Sequence, residues 1–243
     1  MENIWYFVAL LPVVSFLYSA VGHGGASGYL ALMALFAFPP DIMKPTALLL
    51  NIFVAGISFY FYYKAGFFRK KLFLYFALSS IPLAYLGGTI NIDATLYKKI
   101  LAVLLLFAIL KMVNVFGKDL QKNREIQLLP GLLIGGAIGF FSGLIGIGGG
   151  ILLTPVILLL HWGNMKQAAA VSALFIWVNS IAGMAGQINR GVTLNSDMFY
   201  WVLVAVLGGV AGGFYGSKKG SNKTLRYVLA FVLIIACVKL VFV

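Results

Sequence analysis

Two glycine clusters are the residues of this 243-residue chain whose types and spacing best suit chemistry. They lie at 22–25 and 146–150, each inside a long apolar run. Glycine breaks a helix easily, so each cluster predicts a helix, a break and a second, shorter helix that begins near Ser27 or Gly150. The first N–H groups of such helices lack intrahelical acceptors and suit an anion. The alternative, close helix packing, is weaker because the clusters are paired.

Neutral polar side chains in the apolar runs that follow would supply further hydrogen-bond donors. Asn51 and Asn179 lie in the runs after the two clusters, and Thr46 and Ser172 precede them by one or two turns. An amide offers two donors and a hydroxyl one, so these groups could coordinate an oxyanion without a fixed charge. For each of them taken singly, hydrogen bonding between helices is nearly as good an explanation.

His23 lies inside the first cluster, where the second cluster has the apolar Ile147. A charged imidazole would bind an anion or sense a proton, whereas a neutral one would cap a broken helix end. The sequence favours neither interpretation. The predicted substrate-binding set is Gly22, His23, Gly24, Gly25, Thr46, Asn51, Gly146, Gly148, Gly149, Ser172 and Asn179.

The composition identifies an integral membrane protein. Apolar residues make up 62% of the chain and charged residues 10%, and the mean hydropathy is +1.00. A soluble domain carries about 25% charged residues, so a soluble enzyme is excluded. No HExxH, GxSxG or Walker A motif is present, and we expect no enzyme activity, cofactor or metal site. The basic residues that give the net charge of +12 cluster between the apolar runs. They therefore indicate membrane topology rather than nucleic-acid binding.

The apolar runs predict an all-α fold. Two runs, 4–37 and 128–160, contain the clusters and are too long for one straight span. The first of them follows no basic stretch, so we expect it to be retained as a membrane segment. Six other charge-free runs approach the roughly 20 residues of a spanning helix: 45–63, 72–92, 100–110 with its continuation past Lys111, 167–189, 198–217 and 227–238. No Asp or Glu lies inside them, which argues against a carboxylate proton relay.

Four pairs of matching segments indicate an internal repeat. We therefore predict a first repeat over 1–118, a cytoplasmic linker over 119–126 and a second repeat over 127–243. The pairs, at offsets of 124 to 126 residues, are 22–25 with 146–149, 46–48 with 172–174, 64–66 with 189–191, and 87–88 with 212–213.

Loop charges predict the orientation of the two repeats. If each broken segment returns to the side from which it entered, twelve basic loop residues lie inside and four outside. If each broken segment crosses the membrane only once, the same residues divide equally between the two sides. The positive-inside rule favours the first arrangement. We therefore expect two inverted halves with both termini outside, each a glycine-broken helix hairpin followed by three transmembrane helices.

The paired Gly-x-Gly-Gly breaks, with TALLLN in the first half and AVSALFIWVNSIAG in the second, resemble the TauE/SafE sulfite exporter family. The likeness covers essentially the whole chain. It implies a permease of the bacterial or archaeal cytoplasmic membrane that moves sulfite or a small organosulfur anion. The family's conserved glycines correspond to those at 22, 24, 25, 146, 148 and 149, and its Thr/Ser position to Thr46 and Ser172. His23 and Ala26 depart from the family's pattern.

These observations predict a secondary transporter of a small sulfur oxyanion that works by alternating access. A passive anion channel is the first alternative, and a membrane assembly factor that transports nothing is the second. The expected partners are the anion and membrane lipid, without nucleic acid. Glycines spaced four residues apart over 131–143 and 208–216 predict helix-packing surfaces, which leave a homodimer open.

Overall fold

The computed structural model describes residues 4–112 and 124–218, with Ile234 beyond them. Within these residues every regular element is a helix, as the composition predicts. Five of the helices, α3, α4, α6, α8 and α9, are long and apolar enough to cross a membrane. The helices are α1 Ile4–Ser19, α2 Ala26–Leu35, α3 Pro40–Lys64, α4 Lys70–Thr89, α5 Ala94–Met112, α6 Leu128–Ile145, α7 Gly150–Leu159, α8 Met165–Asn189 and α9 Ser196–Lys218.

Both glycine clusters interrupt helices, as predicted. The first separates α1 from α2 and the second separates α6 from α7. The two short helices have 10 residues each, or about 15 Å, half the thickness of the hydrocarbon core. The predicted last span, 227–238, and most of the predicted linker lie outside the described residues. The division of the chain into repeats at 118 and 127 stays a prediction.

The glycine stripes are helix-packing surfaces. At six of the seven glycines in the two stripes, an added Cβ would overlap a backbone carbonyl of the facing helix or of the residue that directly follows it. In each pair the contacting residue numbers increase in the same direction along both helices, so the two helices are parallel. The contacts are Gly135 with Phe76, Gly139 with Ser80 and Gly143 with Ala84 between α6 and α4, and Gly208 with Pro12, Gly212 with Phe16 and Gly216 with Ala20 between α9 and α1.

The long helices α3 and α8 pack against each other at the centre. Asn51 on α3 contacts Ser180 on α8, while Gly183 faces Leu48 and Gly56 faces Trp177. Rising numbers on one helix meet falling numbers on the other, so α3 and α8 are antiparallel. This is the relation that an inverted repeat requires of equivalent helices, and the inverted repeat itself remains a prediction.

The described basic residues gather at the two ends of the long helices. Near the end of α3, Arg69 Nη1 donates to the Trp162 carbonyl at 3.2 Å and Lys166 lies 4.8 Å from the Phe67 ring centroid. Near its beginning, about 37 Å away along the helix, Arg190 Nη1 donates to the Ile90 carbonyl at 3.0 Å. Of the loops that the charge count places on one side, the described residues 64–71 and Lys166 thus lie together.

Candidate functional site

Asn51 on α3 joins the two breaks. Its side chain is fully buried. Its Oδ1 accepts a hydrogen bond from the Ala26 N–H at 3.0 Å, and its Nδ2 donates to Ser180 Oγ at 3.3 Å. One amide therefore links the start of α2 to α8. This bonding leaves one hydrogen of Nδ2 free for a further acceptor.

The backbones of both breaks lie directly against Asn51. A Cβ added at Gly24 or Gly148 would collide with the Asn51 amide, and at both positions it would also lie 2.9 Å from Ile176 Cγ2. Gly148 has a φ of +74°, a backbone conformation that residues with a Cβ rarely adopt. The two breaks thus meet at one point, between α3 and α8, where only backbone fits.

The first glycine of each break contacts the long helix of the other half. A Cβ at Gly22 would overlap Ala169 near the start of α8, and one at Gly146 would lie 3.0 Å from the Lys44 carbonyl oxygen near the start of α3. These contacts are reciprocal, since Gly22 and Gly146 are 124 residues apart and Lys44 and Ala169 are 125 apart.

The short helices α2 and α7 both begin at this meeting point. Their N-cap residues, Gly25 and Gly149, are in the left-handed conformation and supply no side-chain cap. For α2, Asn51 substitutes by accepting from Ala26. Helix N-termini carry unpaired N–H groups and a partial positive charge, so the arrangement offers donors to an oxyanion without a fixed charge.

His23 belongs to a buried hydrogen-bond network that crosses between the halves. Its Nδ1 lies 2.9 Å from the Val21 carbonyl oxygen, and its Nε2 lies 3.1 Å from Thr154 Oγ1. Thr154 in turn lies 2.8 Å from Ser172 Oγ and donates to the Gly150 carbonyl at 3.1 Å. The imidazole thus connects the first break to α7 and α8.

Two predicted donors form no hydrogen bond with these groups in the described part of the chain. Thr46 is fully buried and its Oγ1 has no partner among the described residues. Asn179 Nδ2 donates to the Phe175 carbonyl of its own helix at 2.7 Å, while its Oδ1 is unpaired within the described part of the chain. Asn179 is therefore not the structural counterpart of Asn51.

The residues that stand opposite Asn51 were not predicted from the sequence. At an offset of 125 residues, Asn51 corresponds to Ile176 and Ala55 to Ser180, and all four lie against Gly24 or Gly148. The matched ends of α3 and α8 give the same offset. That offset identifies Ile176 as the counterpart of Asn51, whereas Ser180 is identified only by its hydrogen bond to Asn51.

Comparison with known proteins decides the class of this all-helical chain. The profile of the family described as Sulfite exporter TauE/SafE matches residues 7–240. The chain belongs to the TauE/SafE sulfite exporter family. The match covers both breaks and both long helices, so the resemblance inferred from the glycine motifs is confirmed.

Two relatives are similar to this chain over most of their length. The probable membrane transporter protein y4hK of Sinorhizobium fredii is 34% identical over 204 residues, 81% of each chain. The probable membrane transporter protein MJ0441 of Methanocaldococcus jannaschii is 31% identical over 196 residues, 73% of this chain and 72% of its own. No solved structure gives a significant match.

Membership of the TauE/SafE family makes this chain a multi-pass membrane transporter and not an enzyme. Function in such a protein resides in the site rather than in the fold. In this TauE/SafE protein, the breaks and Asn51 are the place where non-helical backbone is enclosed by protein, which is the condition under which such backbone is tolerated at membrane depth.

Proposed function

We propose that this protein is a secondary transporter that moves sulfite or a related small sulfur oxyanion by alternating access. The observation that carries the proposal is the meeting of both breaks at Asn51. In secondary transporters, discontinuous helices at the interface of two repeats form the substrate site, and their N-termini face anionic groups. The family's description supports the sulfur oxyanion, and the relatives' names support transport.

The proposed binding groups are neutral. The Asn51 amide provides its free N–H, Ser180 provides a hydroxyl, and the first turns of α2 and α7 provide backbone N–H groups. Gly24 and Gly148 would let an oxygen atom come as close to the backbone as Asn51 does. A site without a fixed cation binds an anion weakly enough to release it, as transport requires.

The packing suggests how access would alternate. Because Asn51 fills the space between the breaks, an anion can enter only if the breaks move apart. Separation of Gly22 from Ala169 would open the end near Arg69, and separation of Gly146 from Lys44 would open the other end. Rocking of one half against the other would break one contact while the other holds.

Export would need no coupling ion. An inside-negative potential favours the loss of an anion by about 2.3 kcal/mol per charge per 100 mV. The relatives come from a bacterium and an archaeon, which supports a location in the cytoplasmic membrane of such a cell.

Flux through liposomes that contain the purified protein tests the proposal. Uptake of sulfite, thiosulfate, a short sulfonate and chloride is compared for the wild type, Asn51→Ala, Asn51→Asp and Asn179→Ala. We expect saturable, trans-stimulated flux of a sulfur oxyanion. Asn51→Ala removes the amide donor and should lose flux. Asn51→Asp keeps an oxygen that accepts from the Ala26 N–H at the start of α2, so this variant should fold. It should nevertheless lose flux, because the carboxylate has no N–H to offer the anion. Asn179→Ala is the matched control and should retain it.

Two outcomes would contradict the proposal. Flux that is linear in concentration and lacks trans-stimulation would indicate a channel. Absence of flux for every sulfur oxyanion, in a wild-type protein that is shown to be folded, would remove the substrate assignment.

A further inference from the structure

Lys44, in the second turn of α3, is the one buried lysine or arginine among the side chains that the structure describes, with 4% of its surface exposed. Its ammonium lies 5.0 Å from the centroid of the Tyr97 ring. A cation–π contact uses the ring face and leaves donors of the ammonium unused. Every Asp and Glu that the structure describes is exposed, so no buried carboxylate neutralises this cation.

The electrostatic surroundings of Lys44 are mixed. Arg190, at the end of α8, raises the positive potential at Lys44, and the exposed Asp41 lowers it. Arg190 is held in place by its bonds to the Ile90 carbonyl and to Asn91 Oδ1. The other cations on α3 and α8 lie at the opposite end, Lys64 over the Tyr60 ring and Lys166 over the Phe67 ring.

Gln187 on α8 is a second unusual group at this end. It is 1% exposed, and neither Nε2 nor Oε1 has a hydrogen-bond partner in the described part of the chain. A buried amide without hydrogen-bond partners destabilises the folded state. Such a cost is retained in a folded protein where the group serves a ligand.

The register of α3 and α8 brings these two residues to one level. Gly183 faces Leu48, and because the helices are antiparallel, one further turn along each helix brings Gln187 to the level of Lys44. Lys44 also contacts the second break, since its carbonyl oxygen would lie 3.0 Å from a Cβ at Gly146. The pair therefore lies at the mouth of the path that separation of this break from α3 would open.

The equivalent position at the other end contains no such pair. At the offset of 125 residues, Lys44 corresponds to Ala169 and Gln187 to Tyr62. Ala169 and Tyr62 belong to one apolar cluster, and the Tyr62 hydroxyl donates to the Ala20 carbonyl. The polar pair is therefore an addition to one end of the molecule rather than a consequence of the helix packing.

We propose that Lys44 and Gln187 form a second anion-binding site, which takes a small oxyanion of the sulfite class at this end of the molecule, on the path that leads to or from Asn51. The ammonium and Gln187 Nε2 donate to the oxygens of the anion. A singly protonated oxyanion also carries a hydroxyl group. Gln187 Oε1 accepts a hydrogen bond from that hydroxyl. Binding here does not require transport; only the role of the site in entry or release depends on the proposed function.

Titration calorimetry with sulfite at constant ionic strength, on purified protein in detergent, tests this site. The background is Asn51→Ala, which removes the proposed central site, and the added changes are Lys44→Gln and Gln187→Met. We expect sulfite binding to persist in the background and to weaken about tenfold with either change, in line with the loss of a hydrogen bond that involves a charged group. Lys166→Gln, the same substitution at the opposite end, should leave binding unchanged.

Thermal unfolding without anion separates binding from packing. Gln187→Met replaces an unpaired amide by an apolar side chain of similar shape, so its melting temperature should rise while its affinity for sulfite falls. A structural role for Gln187 predicts a lower melting temperature and unchanged affinity.

The proposal is overturned if Lys44→Gln and Gln187→Met both bind sulfite as tightly as the background, or if Lys166→Gln loses as much affinity as they do. Absence of flux with Lys44-dependent binding intact would contradict the proposed function and leave this site in place.

Discussion

Asn51 Oδ1 on α3 accepts a hydrogen bond from the backbone N–H of Ala26, the first residue of α2, at 3.0 Å. The cap of this short helix therefore comes from a different helix, because its own N-cap residue, Gly25, has no side chain to offer. The same amide donates to Ser180 on α8. The position of the first break thus depends on a tertiary contact and not on the local sequence.

Replacement of Asn51 by Ala should destabilise the protein by about 1–3 kcal/mol, because a helix cap and a buried hydrogen bond are lost together. Asn179→Ala should cost less than about 1 kcal/mol, since its amide bonds only within its own helix and its Oδ1 is already unpaired among the described residues. Unfolding in detergent measures both. Equal losses would contradict the capping role of Asn51.

Gly148→Ala should be far more harmful than Gly66→Ala. Both glycines have positive φ values, +74° and +78°, but a Cβ at Gly66 meets no atom within 4 Å, whereas one at Gly148 collides with the Asn51 amide. We expect a loss of about 1–2 kcal/mol for Gly66→Ala from backbone strain alone. A greater loss for Gly148→Ala, measured by thermal unfolding, would locate the effect in the contact between the breaks. Similar melting temperatures would refute close packing there.

The α4–α6 interface gives a third comparison. A Cβ at Gly139 would overlap the Ser80 backbone, whereas one at Gly136 would mainly approach the Leu83 Cδ1 atom, the end of a flexible side chain, at 2.8 Å. Gly139→Ala should therefore cost about 1–3 kcal/mol by overpacking, and Gly136→Ala much less. Expression level and melting temperature of the two variants test this, and equal tolerance of both would argue against a tight backbone contact.

The broken helices could be predicted from the sequence because glycine clusters inside long apolar runs leave few alternatives. The partner of Asn51 could not be predicted in the same way. Matching by residue type paired Thr46 with Ser172 at an offset of 126, while the helix contacts give 125. Successive helix residues differ by about 100° in direction, so an error of one residue selects a different face.

Contacts across the two halves were also beyond sequence reasoning. His23 lies within the first break, yet its Nε2 meets Thr154, 131 residues further along the chain. Nothing in the local pattern around Thr154 distinguishes it from a residue that faces lipid. Its buried position follows only from the way α7 packs beside the first break.

The inverted repeat predicts which ends of the helices face the cytoplasm. In a Cys237→Ala background, the single-cysteine variants Lys70→Cys and Lys166→Cys should react with an impermeant maleimide only after the cells are opened. Their loops belong to the strongly basic set, which the positive-inside rule places in the cytoplasm. A cysteine at Lys98 should react in intact cells. Labelling of Lys70 and Lys166 from opposite sides would contradict the antiparallel relation of the halves. Labelling of Lys98 only in opened cells, with Lys70 labelled in intact ones, would reverse the orientation and leave the inverted repeat standing.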